Sequence, residues 1–372
     1  MNPSSMRRTL VPTVAAIALG FGLTACGAGN EAPSGNDTSD GAGSLAGTIA
    51  GGGASSQEKA QGVWRAKFQG DNPDVTITYD PVGSGDGRAN FNSEAYLFAG
   101  SDSYLNDDDG ELTAAKQRCG GEDAIEVPAY VSPIAVAFNL PGIESLNLSA
   151  ETIAKIFSGS ITTWNDPAIA SSNDGVALPD MAISTVHRSD DSGTTKNFTD
   201  YLSKASNGAW KAEADSLWPA NLKGEAADGT SGVVGVITDN EGMIGYADHS
   251  ATEGLGVASI GVGSEFNAPS AEGAAKVVAV SEREPGRAAV DMAINIDRTT
   301  TESGAYPLVL TSYLIACQHY ADANDAALVK GFLSYIVSAD GQQAAADEVG
   351  SAPLEASIQA EAAGIVAAIA AK

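Results

Sequence analysis

The stretch of sequence that decides the fold is His187-Arg188-Ser189-Asp190-Asp191-Ser192-Gly193-Thr194-Thr195-Lys196-Asn197-Phe198. An apolar run over residues 181–186 leads into it. Apolar residues then recur at helical spacing from Phe198 to Ala205, and Gly208 is a plausible stop. The stretch therefore predicts a strand that turns directly into a helix beginning near Ser192.

The start of this helix has the features of a site for a small tetrahedral oxyanion. The first backbone N–H groups of a helix have no partner within it and carry the positive end of the helix dipole. Ser192, Gly193 and Thr194 would add two hydroxyls and a close approach of the backbone, and Arg188 would add a guanidinium. The alternative is a helix that Ser192 merely caps, with Arg188 on the surface.

Length and charge limit the classes of function. The 372 residues are enough for two domains, and 43% hydrophobic residues can bury a sizeable core. Only 20 Lys and Arg stand against 47 Asp and Glu, a formal net charge of −27. The absence of a domain-wide basic face argues against nucleic acid or anionic lipid as a partner. Any anion must be captured locally, against an unfavourable long-range field.

The N-terminal residues have the features of a bacterial lipoprotein signal. Arg7 and Arg8 precede an apolar stretch, residues 10–23, that is too short to span a membrane stably. It ends Leu23-Thr24-Ala25-Cys26, which is similar to a lipobox. The sequence therefore predicts a signal peptide over residues 1–25 and, after cleavage, a lipid on the sulfur of Cys26.

The next segment and the remaining cysteines fit an exported protein. Residues 26–47 are rich in Gly, Ala, Ser, Asn and Asp without periodicity, which predicts a flexible tether. With Cys26 assigned to the anchor, Cys119 and Cys317 form an even remainder in an oxidising compartment. A disulfide between them is predicted, and two buried free thiols are the alternative. No zinc-ligand spacing is present, so no metal is expected.

The rest of the chain alternates strand-like and helix-like segments. This recurrence favours a parallel α/β architecture, in which ligands bind at the carboxyl ends of strands. An Ala-rich C-terminal portion, residues 321–372, predicts helices broken near Gly341 and around Pro353. The other predicted strands lie at residues 48–50, 75–79, 96–99, 130–140 and 243–246. The other predicted helices follow Ser56, with Ala60, Val63, Trp64 and Phe68 on one face, begin at Arg88, and span residues 150–157. Near residues 306–310 the chain is predicted to return to the first domain.

Three turns of small, hydroxyl-bearing residues lie at predicted helix starts. They are Gly53-Ala54-Ser55-Ser56, Gly83-Ser84-Gly85 and Ser192-Gly193-Thr194. Ser55 and Glu58 have the spacing of a capping box. Each turn alone is more often a helix cap than a site. Three of them, with one arginine and with Asp102 after an apolar run, form a candidate anion site. None contains the lysine of a Walker A loop.

Two other motifs suggest different functions. Asp191-Ser192-Gly193 resembles the nucleophile segment of chymotrypsin-like proteases, and His187, His249 and His319 are available as a base. The helical pattern after Gly193 argues against the all-β barrel of those enzymes. The acidic run at residues 106–111 lacks the spacing of an EF-hand loop and predicts a solvated turn.

Together the motifs resemble those of the phosphate-binding lipoproteins of the phosphate-specific ABC transport system (PstS), in their actinobacterial form. The resemblance runs from about residue 45 to the C-terminus. It implies an α/β, two-lobed type II periplasmic-binding-protein fold with two hinge crossings, near residues 131–138 and 306–310. Lobe I would comprise residues 48–133 and 308–372, and lobe II residues 134–307. The matching segments are residues 51–56, 83–87, 99–102, 161–167 and 187–194.

The resemblance also implies a role for each candidate residue. Arg188 would be the single charged donor, held in place by Asp190. Asp102 would accept a hydrogen bond from the proton of hydrogen phosphate. Sulfate at neutral pH lacks that proton, so Asp102 is the predicted selectivity residue. The first motif commonly ends Thr-Phe in the family and here ends Ser55-Ser56. The neutral donors to phosphate would be Ser55, Ser56, Ser84, Ser192, Gly193 and Thr194.

The predicted function is high-affinity binding of inorganic phosphate outside the cytoplasmic membrane and its delivery to the permease subunits of an ABC transporter. The protein is expected to be a monomer, held at the membrane only by its lipid, with no cofactor and no catalysis. The alternatives are a secreted serine hydrolase that uses Ser192 and His187, and a receptor for another oxyanion such as sulfate or molybdate.

Overall fold

The computed structural model describes residues 45–108 and 110–372. The predicted signal peptide, Cys26 and most of the predicted tether lie outside these residues. The first strand begins at Gly47, the last residue assigned to the tether, and Leu45 packs against the core. In the described part of the chain, no helix is both long and apolar enough to cross a membrane.

Strands and helices alternate along the described chain. The strands are β1 (Gly47–Gly53), β2 (Val75–Asp80), β3 (Phe98–Ser101), β4 (Ile125–Phe138), β5 (Ser145–Leu148), β6 (Ser184–Arg188), β7 (Glu225–Ala227), β8 (Met243–Asp248), β9 (Gly256–Val262), β10 (Glu265–Asn267), β11 (Glu282–Arg283), β12 (Ile294–Asn295), β13 (Val309–Ala316), β14 (His319–Tyr320) and β15 (Ala370–Ala371). The helices are α1 (Glu58–Asp71), α2 (Ser84–Asn92), α3 (Glu111–Arg118), α4 (Ala150–Phe157), α5 (Pro167–Ala170), α6 (Gly193–Ala205), α7 (Gly229–Asp239), α8 (Ala271–Val280), α9 (Ala323–Val337), α10 (Ala339–Val349) and α11 (Ala356–Ala367).

One large sheet of eleven strands organises the described residues. Its main path runs β2-β1-β3-β13-β4-β8-β6-β7, and β9 adds pairs with β4, β5 and β10. β1 is parallel to β2 and β3, and β6 is parallel to β7 and β8. β4 and β13 are antiparallel to each other and to β8 and β3. The predicted parallel architecture is therefore confirmed for two outer regions and wrong for the centre.

Strand β4 connects the two regions of the sheet. All its residues are buried. Residues 125–133 pair with β13, whereas residues 134–138 pair with β8. The exchange of partners occurs between Pro133 and Ile134, where the Ile134 N–H donates to the Leu308 carbonyl at 2.8 Å. The two predicted crossings, near residues 131–138 and 306–310, thus lie side by side.

Capping explains several helix boundaries. The predicted helix at residues 150–157 is confirmed, because the Ser149 hydroxyl accepts the Thr152 N–H at 3.1 Å. The break predicted near Gly341 lies instead at Ser338, which ends α9 and caps α10 by accepting the Gly341 N–H at 3.1 Å. A Cβ on Gly341 would collide with the Tyr335 carbonyl, so this glycine serves packing. The break around Pro353 separates α10 from α11.

The predicted disulfide between Cys119 and Cys317 is confirmed. It joins the end of α3 to the residue after β13, with the Cα atoms 5.3 Å apart and 198 positions between the two residues. The acidic run before α3 holds that helix in place, since Asp107 Oδ1 accepts the Thr113 N–H at 2.8 Å. Within the described residues, no group of His, Cys, Asp and Glu side chains is arranged to hold a metal ion.

Candidate anion-binding site

Asp102 is the centre of the candidate site. It follows β3 and is 3% exposed. Its Oδ1 accepts hydrogen bonds from the hydroxyls of Ser56 and Ser312, both at 2.6 Å, and its Oδ2 accepts the Thr194 hydroxyl at 2.8 Å. Its N–H donates to Ser84 Oγ at 3.0 Å. The structure thus brings the three predicted hydroxyl-bearing turns together around the predicted acid.

Gly193 lets α6 approach this centre closely. A Cβ on Gly193 would lie 2.5 Å from Ser84 Oγ and 2.7 Å from Asp102 Cβ. Ser192 caps the helix through the Thr195 N–H, at 3.1 Å. The cap by Ser192 is therefore confirmed, but Arg188 is 3% exposed, so the part of that interpretation that placed it on the surface is wrong. The cap does not exclude an anion site, because it leaves the N–H groups of Gly193 and Thr194 without intrahelical partners. This helix start can therefore be capped by Ser192 and also bind an anion.

Arg188 lies at the end of β6, with a side chain only 2% exposed. Its Nε donates to Asp190 Oδ1 at 2.6 Å, and its Nη2 donates to Asp190 Oδ2. Asp190 Oδ1 also accepts the Gly229 N–H at 3.2 Å. This bidentate pair fixes the plane of the guanidinium, which has five N–H donors in all and so keeps donors beyond those that Asp190 uses.

Tyr246 supports the same corner of the site. Its hydroxyl accepts the Arg188 N–H at 3.3 Å and lies 2.7 Å from Thr195 Oγ1. Burial raises the pKa of Tyr246 to about 12, so the group remains a neutral hydroxyl in the physiological range. It therefore connects the end of β6 to the first turn of α6 without adding charge.

The capping box predicted at Ser55 and Glu58 is wrong. A 3-10 turn over Ser55–Gln57 precedes α1, and neither the turn nor the helix has a side-chain cap. Ser55 Oγ instead accepts the Thr230 N–H at 3.0 Å and lies 3.1 Å from Thr230 Oγ1. The hydroxyl that was predicted to cap its own helix thus contacts the start of α7, 175 residues away.

Two groups in this cluster escaped the sequence analysis. The Gly229-Thr230 turn has the same small, hydroxyl-bearing character as the other three turns, and the apolar run after it is a helix, α7. This sequence pattern could therefore have identified the turn as a fourth candidate. Ser312 is fully buried within β13, in a run that reads as an ordinary core strand. Nothing in its local sequence indicates a polar role.

The hydrolase alternative lacks its central contact. His187 Nδ1 lies 2.8 Å from the Arg188 carbonyl oxygen, and the imidazole stacks on Trp218 with centroids 4.8 Å apart. Among the hydrogen bonds of the described residues, none joins His187 to Ser192. His249 and His319 contact Thr252 and Glu122 instead. A nucleophilic serine needs a histidine within hydrogen-bond reach.

Two cavities meet the cluster from different directions. One of about 660 Å³ is lined by residues that include Arg88, Asp102 and Asp191. Another of about 280 Å³ is lined by residues that include Ser55 and Ser56. Because Ser56 and Asp102 are hydrogen-bonded to each other, the cluster lies where the two cavities approach. Of the other predicted site residues, Ser84, Arg188, Ser192, Gly193 and Thr194 line neither of these two cavities.

Comparison with known proteins agrees with the fold and the motifs. The sequence profile of the PBP superfamily domain matches residues 38–340. The phosphate-binding protein PstS2 of Mycobacterium bovis (strain BCG / Pasteur 1173P2) is 36% identical over 93% of this chain and 95% of its own length. The phosphate-binding protein PstS of Pasteurella multocida (strain Pm70) is 33% identical over 73% of this chain and 76% of its own.

Solved structures share the fold at lower identity. A high-affinity periplasmic phosphate-binding protein (PfluDING), bound with phosphate, superposes with a TM-score of 0.68 at 22% identity, covering 84% of this chain and 92% of its own. A phosphate-binding protein from Stenotrophomonas maltophilia gives a TM-score of 0.63 at 21% identity, covering 86% and 94%. The profile match and the identity to the mycobacterial protein, both over most of the chain, show that this chain belongs to the PBP superfamily and, within it, to the PstS family of phosphate-binding proteins.

Proposed function

We propose that this protein binds inorganic phosphate, as hydrogen phosphate, outside the cytoplasmic membrane and delivers it to the permease of an ABC transporter. The observation that carries the proposal is a buried carboxylate, Asp102, at the centre of hydroxyls and helix starts drawn from four separate segments. A carboxylate in such a place is costly beside a dianion unless the dianion supplies a proton. The relatives named as phosphate-binding proteins support the same ligand.

Each candidate residue has a part in the proposed site. Arg188, oriented by Asp190, supplies the charged donor. The neutral donors come from hydroxyls and from the N–H groups at the starts of the helical segments. Asp102 accepts a hydrogen bond from the proton of hydrogen phosphate, and sulfate has no such proton to donate. The neutral donors are Ser55, Ser56, Ser84, Ser192, Gly193 and Thr194, and contacts at the start of α7 support adding Thr230. Ser56 and Thr194 would donate through their backbone N–H groups, because their hydroxyl hydrogens go to Asp102.

The exchange of partners along β4 supports the proposed lobes. Residues 48–133 and 308–372 would form lobe I, and residues 134–307 lobe II, with the boundary at the Pro133–Ile134 step. Ser55 contacting Thr230, and Asp102 contacting Thr194, would then be contacts of a closed cleft. A lipid on Cys26 would hold this monomeric receptor at the outer face of the membrane.

The proposal assigns transport rather than catalysis to the site. The position of His187 against Trp218 supports this, since the ring is used for packing. The His187→Ala variant should retain most of the phosphate affinity. Loss of binding together with a hydrolytic turnover that depends on His187 would instead favour the hydrolase.

Titration calorimetry with phosphate and sulfate tests the function directly. The wild-type protein should bind phosphate strongly and sulfate weakly. The Asp102→Asn variant should narrow the phosphate-over-sulfate ratio by about 10²-fold or more, because selectivity through a required hydrogen bond is large. Asp180→Asn, a change at an exposed aspartate, is the matched control and should leave the ratio unchanged. An unchanged ratio in Asp102→Asn would remove Asp102 from its role.

A further inference from the structure

We propose that a buried chain of hydrogen bonds, Gln61 to Gln57 to Ser312, sets which oxygen of Asp102 is offered to the ligand. The three residues would be positioning residues: they act on the ligand through Asp102. The inference rests on the proposed function, since it explains how the same site presents one acceptor to one phosphate proton.

The orientation of Gln57 is fixed by its neighbours. Its Nε2 lies 3.2 Å from the Tyr313 carbonyl oxygen and 2.6 Å from Ser312 Oγ. A carbonyl oxygen can only accept, so the group facing Tyr313 must be the amide NH₂. Its Oε1 then faces Gln61, whose Nε2 donates to it at 2.9 Å. The reversed amide would set two oxygens against each other.

This orientation determines where the Ser312 hydrogen goes. Ser312 Oγ accepts one hydrogen from Gln57, and it has a single hydrogen of its own to donate. The carboxylate oxygen Asp102 Oδ1 lies 2.6 Å from Ser312 Oγ and receives it. The chain of donors therefore runs in one direction, from the amides to the carboxylate.

The consequence is a difference between the two oxygens of Asp102. Oδ1 accepts two hydroxyls, from Ser56 and Ser312, and an ionised carboxylate has about four acceptor positions in all. Among the residues that the structure describes, Oδ2 accepts only the Thr194 hydroxyl. Oδ1 is thus filled, and Oδ2 retains one position for a proton that comes with the ligand.

Burial keeps the direction of the chain unambiguous. Gln57, Gln61 and Ser312 are all 0% exposed, so bulk water does not compete for their hydrogens. The sheet makes room for the amide at Gly100, where an added Cβ would lie 2.8 Å from Gln57 Oε1. Buried hydrogen bonds of this kind are expensive to leave unmade. A gap in the chain should therefore be felt at Asp102.

Two variants interrupt the chain in different ways. Ser312→Ala removes the donor to Oδ1. Gln57→Glu keeps the shape but replaces a donor with an acceptor, which draws the Ser312 hydrogen away from Asp102. In either case Oδ1 loses the donor that holds it in place, so the carboxylate no longer has one filled oxygen and one open oxygen in fixed positions. Asp102 can then turn, which weakens the hydrogen bond from the phosphate proton to Oδ2, whereas sulfate never makes that hydrogen bond and is bound as before. The phosphate-over-sulfate ratio therefore falls.

The test is the ratio of phosphate to sulfate affinity, measured by titration calorimetry at mildly alkaline pH. Ser312→Ala and Gln57→Glu should each lower the ratio by about tenfold or more, as expected for a lost hydrogen bond to a charged group. Ser312→Thr keeps the hydroxyl and should restore a ratio close to that of the wild type. Ser206→Ala removes another fully buried serine and should leave the ratio unchanged.

The outcomes separate this inference from the proposed function. A folded Ser312→Ala protein with the wild-type ratio would overturn the inference, as would a Ser312→Thr protein as impaired as Ser312→Ala. If Gln57→Glu fails to fold, the two Ser312 variants decide alone. A wild-type protein that does not prefer phosphate over sulfate would overturn the proposed function itself, whatever the variants do.

Discussion

Gly193 shows how much of the site depends on the absence of a single side chain. It is the first residue of α6 and lies against both Ser84 and Asp102. A Cβ added at Gly193 would lie 2.5 Å from Ser84 Oγ, and real Cβ atoms almost never come that close to another atom. The backbone must therefore move if any other residue takes this position, and the Thr194 hydroxyl moves with it.

We expect Gly193→Ala to lower phosphate affinity at least about tenfold. The substitution displaces the start of α6, which breaks the hydrogen bond between Thr194 and Asp102 and the close packing of α6 against Ser84. The measurement is a phosphate titration followed by tryptophan fluorescence. Gly235→Ala is the control, since an added Cβ on Gly235 within α7 meets no atom within 4 Å. Equal affinities for both variants would show that the close approach is unimportant.

Asp248 predicts a specific dependence of stability on pH. Burial raises the pKa of Asp248 to about 6, above the unfolded value of about 4. Tyr130 donates to its Oδ1 at 3.0 Å, whereas its Oδ2 has no partner among the described residues. The folded state thus favours the protonated acid, and that stabilisation is present below about pH 4 and lost as the pH rises through 6.

In the Asp248→Asn variant the side chain cannot ionise, so this pH-dependent contribution to the free energy of unfolding is absent. The free energy of unfolding of the wild type relative to Asp248→Asn should fall by about 3 kcal/mol between roughly pH 4 and pH 7. Urea unfolding at several pH values measures it. Parallel stability curves for the two proteins would contradict the prediction.

At this scale, the sequence could identify residues that belong to a local motif. Asp102, Arg188 and Thr194 lie in or after segments with the spacing of strand ends and helix starts, and the structure brings Asp102 and Thr194 together. Ser312 could not be found this way. Its role depends on β13 lying beside β3, a pairing between residues about 200 positions apart that no local pattern encodes.

At the scale of whole elements, one buried side chain, Arg298, connects helix α6 to the segment around the start of β13. Arg298, 3% exposed, donates from Nε to Asp200 Oδ2 at 2.9 Å and from Nη1 to the carbonyls of Pro307 and Val309 at 3.0 and 2.6 Å. Its Nη2 donates to Asn197 Oδ1. Burial disfavours the charged form of Asp200, but Arg298 outweighs it and the pKa of Asp200 is lowered. Arg298 therefore ties α6 to the crossing before β13.

Arg298→Met should destabilise the protein by about 3–5 kcal/mol, because it leaves the Pro307 and Val309 carbonyls without their buried donor and leaves the half-buried Asp200 with only Lys204. Thermal or urea unfolding measures the loss. Arg283→Met is a suitable comparison, since the pair of Arg283 with Glu361 is 38% and 51% exposed and should be worth less than about 1 kcal/mol. Similar losses in both variants would exclude the proposed connection.

Element boundaries followed from the sequence where a cap was local. The start of α4 at Ser149 is one example. The capping box at Ser55 failed for a physical reason: its hydroxyl is used by the start of α7. Local capping and contacts between distant elements compete for the same hydroxyl, and only the second depends on the completed fold.

The disulfide is a constraint on the whole molecule. Cys119 and Cys317 are 198 positions apart, and closing so long a loop removes a large amount of entropy from the unfolded chain. Reduction, or the double variant Cys119→Ser/Cys317→Ser, should therefore lower the free energy of unfolding by about 4–5 kcal/mol. Unfolding with and without reductant measures this. The double variant should not respond to reductant, and an unaffected wild type would contradict the prediction.

Net charge affects how a dianion reaches the protein. With a formal net charge of −27, the molecule repels phosphate at long range. Added salt screens that repulsion over about 10 Å at roughly 0.1 M. Phosphate association, measured by stopped-flow fluorescence, should become faster as inert chloride salt rises from about 10 mM to 150 mM. A rate that falls with salt would indicate local steering by positive charge instead.

Both crossings carry a proline, Pro133 in β4 and Pro307 just before β13. Each pyrrolidine ring removes one rotatable backbone torsion, and Val309 pairs with Pro133 in the ladder. If the two proposed lobes open, we expect the motion to be a rotation about one axis that passes through these two adjacent, stiffened connections. We expect such an opening to be a rigid-body hinge rotation with little twisting of one lobe against the other.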